Sequence, residues 1–165
     1  SNTSKLKQKQ HFYHIRGIMK ILIFGLPGSG KSTLAEPFAE LINGIWINAD
    51  QVRKYYDDWD FTPEGRMRQA MRMKFLADGV VRAGKTAIAD FVCPTEAARL
   101  EFAPEYTVWM DTIKEGRFED TNRMFEKPAK YDYHVANWFD DTPHQLMEVV
   151  QNYMLAKAGK TTKNL

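Results

Sequence analysis

The sequence is poor in cysteine, with Cys93 as its single example, so an intramolecular disulfide is excluded. It also has no apolar run long enough to cross a bilayer. Its net charge is only +2, and residues 1–18 hold four basic side chains and no acidic one, which leaves −2 on the remainder. These absences argue against a disulfide-rich secreted protein and against a membrane partner, and we expect a cytoplasmic protein. They also give no global sign of nucleic-acid affinity.

The stretch 21–34 is the most informative in the chain, and it reads Ile-Leu-Ile-Phe-Gly-Leu-Pro-Gly-Ser-Gly-Lys-Ser-Thr-Leu. Its four leading apolar residues predict a strand that is buried on both faces. The next eight residues satisfy the phosphate-loop pattern G-x-x-x-x-G-K-[ST] without a mismatch, and apolar residues at helical spacing follow. The stretch therefore predicts a nucleoside-triphosphate site, with ATP as the ligand.

The loop chemistry assigns a role to each residue type. Glycines let backbone N–H groups approach phosphate oxygens, and the N-terminus of the following helix favours the same anion. Lys31 is expected to reach the β- and γ-phosphates, and the Ser32 hydroxyl to ligate Mg²⁺. The predicted ATP contacts are Gly25, Gly28, Ser29, Gly30, Lys31, Ser32 and Thr33.

Strands and helices alternate along the rest of the chain. This order predicts an α/β three-layer sandwich with a mainly parallel five-stranded sheet, the P-loop nucleoside triphosphate hydrolase/kinase fold. The expected strands cover residues 21–24, 45–48, 86–89, 107–110 and 133–136. We expect one P-loop kinase domain over 19–158, a leader or extension without regular structure over 1–18, and a tail over 159–165.

Polar residues just past the strands are the candidates for chemistry, because ligands of such sheets bind beyond the carboxyl ends of the strands. After the second strand, Asp50 is a candidate base for an attacking hydroxyl, and Arg53 a candidate ligand for an acceptor phosphate. After the third, Asp90 is a candidate for the Mg²⁺ shell together with Ser32. The alternative is that each Asp is only a helix or turn cap. The predicted catalytic residues are Lys31, Asp50 and Arg53.

Taken together, these motifs resemble the adenylylsulfate kinases, which move the γ-phosphoryl group of ATP to the ribose 3′-hydroxyl of adenylylsulfate. The loop of that family is matched throughout residues 25–33. Its Asp-Gly-Asp-Asn-x-Arg is partly kept at 48–53, its Gly-Phe-Ser…Asp-Arg…Asn at 60–69, its Ser-Phe-x-x-Pro at 90–94, and its Asn-Phe-Thr-Gly…Tyr-Glu-x-Pro at 117–128.

The resemblance implies an acceptor site for a small nucleotide. Phe61 and Phe118 would enclose the adenine of adenylylsulfate, and stacking on aromatic faces suits a purine. Arg53 and Arg66 would hold its phosphosulfate. Gln69 would take the place of the usual Asn. Phe91, in the motif at 90–94, is assigned to the same site.

Two departures from the family keep other functions open. The basic lid Arg-Asp-Pro-Lys-Gly-Leu-Tyr-Lys-Lys-Ala expected after the fourth strand is missing, since residues 111–116 run directly into Arg117. Asp90 stands where the family has Ser. The pattern that Asp90 forms with Pro94 and Arg99 resembles one found in the polynucleotide 5′-hydroxyl kinases. A polynucleotide or nucleoside kinase is therefore the second candidate. A nucleotide-binding module without phosphoryl transfer is the third. The sequence does not fix the oligomeric state.

Overall fold

The structure is a computed structural model that describes the backbone of residues 1–163 and the side chains of residues 1–159. Its strands are β1 (Lys20–Gly25), β2 (Ile45–Asn48), β3 (Ala87–Asp90), β4 (Tyr106–Met110) and β5 (Tyr133–Val135). Its helices are α1 (Asn2–Arg16), α2 (Lys31–Leu41), α3 (Ala49–Tyr56), α4 (Pro63–Arg82), α5 (Glu96–Phe102), α6 (Glu119–Met124) and α7 (Thr142–Lys163).

The five strands form one parallel sheet in the order β2-β3-β1-β4-β5. This confirms the predicted α/β fold with a parallel five-stranded sheet. The third strand lies one residue later than expected, at 87–90, so Asp90 is itself the last strand residue. It pairs with Ile23 of β1 on one side and with Asn48 of β2 on the other. The register therefore brings the end of β2 beside the end of β3.

β1 is the central strand, and its side chains are buried on both faces. Ile21 and Ile23 pack into a cluster with residues of α2 and α7, whereas Leu22 and Phe24 pack into a second cluster with residues of α3, α4 and α5. This alternation follows from the two-residue period of a strand. Helices thus cover both faces of the sheet, and its carboxyl edge is left to the loops.

The amino-terminal segment corrects one expectation, because residues 1–18 are not without regular structure. They contain α1, which packs against α7. The Ser1 hydroxyl accepts a hydrogen bond from the N–H of Ser4, and Gly17 ends the helix at a φ of 69°. The predicted tail over 159–165 begins inside α7, which continues to Lys163, and residues 164 and 165 lie outside the described residues. No helix within residues 1–163 is long and apolar enough to cross a membrane.

Candidate active site

The phosphate loop connects β1 to α2 at the centre of the carboxyl edge. Gly28 and Gly30 have φ angles of 85° and 94°, a conformation that glycine adopts at little cost. A Cβ atom on Gly25 would overlap the carbonyl oxygen of Met110 on β4. The glycine spacing of the motif therefore meets both a backbone and a packing requirement.

Lys31 begins α2 and is largely buried. Its ammonium group donates to the carbonyl oxygen of Leu26 at 3.0 Å, across the loop. Burial lowers the pKa of Lys31, and the charges of Asp90 and Asp50 oppose this effect. Both predicted carboxylates therefore act electrostatically on the lysine of the loop.

The loop is also held by Thr112, which lies just past β4 and is not among the predicted site residues. Its hydroxyl donates to the carbonyl oxygen of Ser29 at 2.7 Å. The Ser29 side chain is buried, and its Oγ finds no hydrogen-bond partner among the residues described. Thr112 is the second residue after β4, and its place past a strand end leaves it open, in the sequence, between a structural cap and a site residue.

Asp90 is the centre of a hydrogen-bond network at the ends of β2 and β3. Its Oδ2 accepts from the Ser32 hydroxyl at 3.1 Å, from the Trp46 indole at 2.9 Å and from the Asn48 amide at 2.9 Å. The same Asn48 amide donates to the Ser32 hydroxyl at 3.1 Å. The structure thus brings together the two residues predicted to hold Mg²⁺, Ser32 and Asp90.

Asp50 lies in the first turn of α3 and is exposed. The cap of this helix is Asn48, whose side-chain oxygen accepts from the N–H of Gln51 at 3.0 Å. Within residues 1–159, no side-chain hydrogen bond or ion pair engages Asp50. The reading of Asp50 as a helix cap is therefore wrong, and its carboxylate is free to meet a ligand.

Arg53 lies one helical turn after Asp50, and it is buried. Its Nη1 donates to the carbonyl oxygens of Asp58 and Asp60, at 3.0 and 3.1 Å. Its guanidinium carbon lies 4.2 Å from the ring centroid of Phe61. Burial lowers the pKa of Arg53 and is the largest effect on it. Arg53 therefore fixes the turn that carries Phe61, and no hydrogen bond to another described residue uses its Nε or Nη2.

Arg66 joins Phe61 to the segment that carries Phe118. Its Nε donates to the carbonyl oxygen of Phe61 at 2.9 Å, and its Nη2 donates to the hydroxyl of Thr121 at 2.8 Å. Phe118 immediately precedes α6, which contains Thr121. The rings of Phe61 and Phe118 are 50% and 51% exposed. Two half-exposed aromatic rings thus lie on elements that Arg66 connects, although no ring-to-ring contact joins them in the described part of the chain.

Gln69 and Phe91, both assigned to the acceptor site, are buried instead. The Gln69 amide donates to the carbonyl oxygen of Ala49 at 3.0 Å, and its oxygen accepts from Arg72. The Phe91 ring packs edge-to-face on Phe102, with centroids 5.6 Å apart. These contacts place Gln69 between α3 and α4, and Phe91 in the core.

Arg99, which the second candidate function requires in an open channel, is buried. It donates to the carbonyl oxygens of Cys93, Pro94 and Glu126 and to the Glu96 carboxylate. These bonds occupy most of its five N–H donors. Arg99 therefore holds the turn after β3 against the segment after α6, and it does not line a channel for a nucleic acid.

The site fits a Mg²⁺-bound triphosphate better than a metal held by protein alone. Among the described residues, no group of three or more His, Cys, Asp and Glu side chains converges as a metal site. Mg²⁺ in kinase sites is typically held by one or two protein oxygens together with phosphate oxygens and water. Ser32 and Asp90 supply two protein oxygens of this kind next to the phosphate loop.

Comparison with known proteins decides the family. The family model described as "Adenylylsulphate kinase" matches residues 17–115, more than half of the chain. The chain belongs to this family. Adenylylsulphate kinases are P-loop phosphotransferases, so membership agrees with the phosphate loop at residues 25–32. It also agrees with the resemblance noted in the sequence.

A curated relative and two solved structures extend the comparison. A probable adenylyl-sulfate kinase of Aeropyrum pernix is 33% identical over an alignment of 93 residues, and the match covers 51% of this chain and 49% of the relative. The chain thus spans about half the length of that relative. An APS kinase of Mycobacterium tuberculosis, solved with AMPPNP and APS, is 14% identical with a TM-score of 0.68, and covers 81% of this chain and 98% of its own. A shikimate kinase of Acinetobacter baumannii, solved with shikimate, is 16% identical with a TM-score of 0.55. This match covers 90% of this chain and 98% of the shikimate kinase. The two structures share the fold.

The match to the adenylylsulphate kinase family ends at residue 115, in the loop that the sequence comparison predicts to lack the basic lid. This loop is short and is held in place. The N–H of Gly116 donates to the Asn122 side chain, and the Asn122 amide donates back to the carbonyl oxygen of Gly116, both at 2.8 Å. A Cβ atom on Gly116 would lie 3.2 Å from the carbonyl oxygen of Pro27. The loop therefore packs closely against the phosphate loop.

Proposed function

We propose that the protein transfers the γ-phosphoryl group of ATP to the ribose 3′-hydroxyl of adenylylsulfate. The observation that carries the proposal is the family match over residues 17–115, since this segment contains the phosphate loop, Asp50, Arg53, Phe61 and Asp90. The residues proposed for the ATP site and most of those proposed for the acceptor site thus lie in the matched part of the chain, whereas Phe118 follows it. The curated relative named as a probable adenylyl-sulfate kinase supports the same acceptor.

In this proposal the phosphate loop binds the triphosphate. The backbone N–H groups around Gly28 and Gly30 enclose the phosphates, and the Lys31 ammonium moves from the Leu26 carbonyl oxygen to the β- and γ-phosphates. Ser32 and Asp90 are the residues that would hold Mg²⁺, which neutralises the developing charge of the phosphates when bound. Thr33 follows Ser32 at the start of α2, where its N–H adds to the anion site.

The acceptor lies on the side of α3 and α4. Asp50 is exposed and unpaired, so it can accept the proton of the attacking hydroxyl. Arg53 and Arg66 are the cations next to Phe61, at 4.2 and 5.3 Å from its ring centroid, and they attract the phosphosulfate. Phe61 and Phe118 provide exposed ring faces for the adenine. The acceptor is a small nucleotide, and a nucleic acid is not favoured because Arg99 is buried.

The short lid leaves few cations to stabilise the transferring phosphoryl group. Lys114 and Arg117 are exposed in the loop that replaces the lid. Arg117 lies 5.1 Å from the ring centroid of Phe118. Because lid closure excludes water and completes a site, we expect slower turnover than in a kinase with the full basic lid.

The test is a transfer assay with labelled ATP and two acceptors in parallel, adenylylsulfate and an oligonucleotide with a 5′-hydroxyl. We expect label in adenylylsulfate alone. Transfer to the oligonucleotide alone would establish the second candidate function. Transfer to neither, with ATP binding retained, would leave a nucleotide-binding module and overturn the proposal.

A further inference from the structure

The side chain of Asn48 contacts three parts of the site at once. Its Nδ2 lies 3.1 Å from the Ser32 hydroxyl and 2.9 Å from Asp90 Oδ2, and both contacts can form because an amide nitrogen carries two hydrogens. Its oxygen caps α3 by accepting from the N–H of Gln51. One amide therefore connects the phosphate loop, the carboxylate of β3 and the helix that carries Asp50.

The hydrogen bonds of Asp90 are unevenly divided between its two oxygens. Oδ2 accepts all three, from Ser32, Trp46 and Asn48. Oδ1 accepts none from the part of the chain that the structure describes. The amide and the indole thus hold the carboxylate in one orientation, and they leave one oxygen for a further ligand.

Asn48 and Asp90 are also register partners across β2 and β3. The family pattern described above has Asp at the first of these positions and Ser at the second, whereas this chain has Asn and Asp. Each arrangement carries one negative charge, which lies on β2 in the family pattern and on β3 in this chain. A carboxylate at both positions would place two like charges in contact, which disfavours the ionised form of each.

We propose that Asn48 and Asp90 form one metal-positioning pair, in which the amide orients the carboxylate toward the Mg²⁺ of the bound nucleotide. Asn48 is the positioning residue, because it acts on the metal through Asp90 and Ser32. In this chain the pair is one amide and one carboxylate across β2 and β3, and the charge can lie on either strand. The inference rests on the proposed function only in its use of a metal-bound triphosphate, and it is independent of the acceptor.

The test measures Mn²⁺ binding by electron paramagnetic resonance in the presence of AMPPNP, without any acceptor. Asp90→Asn removes the charge, and Asn48→Ser removes the amide while keeping a residue that can cap α3. Asn48→Ser is expected to lower the Mn²⁺ affinity about 10- to 100-fold, the usual effect of changing a partner of a metal ligand, and Asp90→Asn at least as much because it removes the charge of the ligand itself. Gln51→Ala, on the exposed side of the same helix, is the control and should leave the affinity unchanged.

The double variant Asn48→Asp with Asp90→Asn exchanges the two side chains, and it should regain most of the affinity that Asp90→Asn loses. Thermal unfolding without metal establishes that each variant is folded. An exchanged variant as weak as Asp90→Asn, or an Asn48→Ser variant with the affinity of the wild type, would overturn the inference alone. A wild-type protein that binds no Mn²⁺ with AMPPNP would overturn both the inference and the proposed function.

Discussion

Replacing Asp50 by Asn separates the catalytic role of this residue from a structural one. The substitution keeps the size of the side chain but removes its charge and its ability to accept a proton. The α3 cap comes from Asn48, and Asp50 is exposed without a hydrogen bond or ion pair among the described residues. The structure therefore predicts a large effect on turnover and a small effect on folding.

The stability effect is limited to the interaction of Asp50 with the positive end of α3. Such an interaction is worth at most about 1 kcal/mol at an exposed site. For a chain of this size, about 1 kcal/mol corresponds to a fall in Tm of about 2–4 °C. Asn48→Ala removes the cap and also the hydrogen bonds to Ser32 and Asp90, so it is the comparison variant and should cost more, about 2 kcal/mol or above.

The effect on turnover is much larger if Asp50 is the base. A general base contributes about 10²- to 10⁴-fold, or about 3–5 kcal/mol of transition-state stabilisation. We expect Asp50→Asn to lower kcat for phosphate transfer to adenylylsulfate by this factor. The affinity for AMPPNP, measured by calorimetry, should change little, because Asp50 acts on the acceptor and not on the triphosphate.

The comparison of kcat, nucleotide affinity and Tm in one variant decides the point. Equal losses in turnover and in AMPPNP affinity would show that Asp50 supports the nucleotide site. A fall in Tm as large as that of Asn48→Ala would show a structural role in α3. Either result would refute the assignment of Asp50 as the base.

Three further substitutions test the rest of the account. Lys31→Ala should lower turnover about 100- to 1,000-fold, the usual effect of losing a charge-stabilising group, and near-normal turnover would contradict the phosphate-loop assignment. Phe61→Ala and Phe118→Ala should each weaken adenylylsulfate binding by about 1–3 kcal/mol in calorimetry, with little change in ATP binding. Equal losses of affinity for both ligands would exclude an adenine site at these two rings. Arg99→Met should destabilise the fold by about 1–3 kcal/mol in urea unfolding, because it leaves the buried Cys93 carbonyl oxygen without its Arg99 donor and breaks the bond to the Glu126 carbonyl oxygen. The half-exposed Arg68→Met should cost much less. Equal costs at the two arginines would contradict the role given to Arg99.

The parts of the site that the sequence predicted well are local in the chain. The phosphate loop, the buried strand before it and the helix after it follow from consecutive residues, because glycine conformation and helix N-termini are local properties. The parallel sheet followed from the alternation of strands and helices, and the match of Ser32 with Asp90 followed from adjacent strand ends.

The parts that the sequence missed depend on contacts between distant residues. In the sequence Asn48 is only one residue of a motif, because its bond to Asp90 spans 42 positions and depends on the β2–β3 register. Arg99 reads as a site cation until the structure brings Glu126 to it, 27 positions away. The helix α1 is not evident from residues 1–18 alone, because it packs against α7 at the other end of the chain.

The identity of the product tests the central claim most directly. The protein is incubated with Mg²⁺, ATP and adenylylsulfate, and the nucleotide products are examined by phosphorus nuclear magnetic resonance with proton coupling to the ribose. The account predicts a new phosphate on the 3′-oxygen of adenylylsulfate, which disappears with Lys31→Ala. A phosphate at another position, or unchanged adenylylsulfate beside consumed ATP, would contradict it.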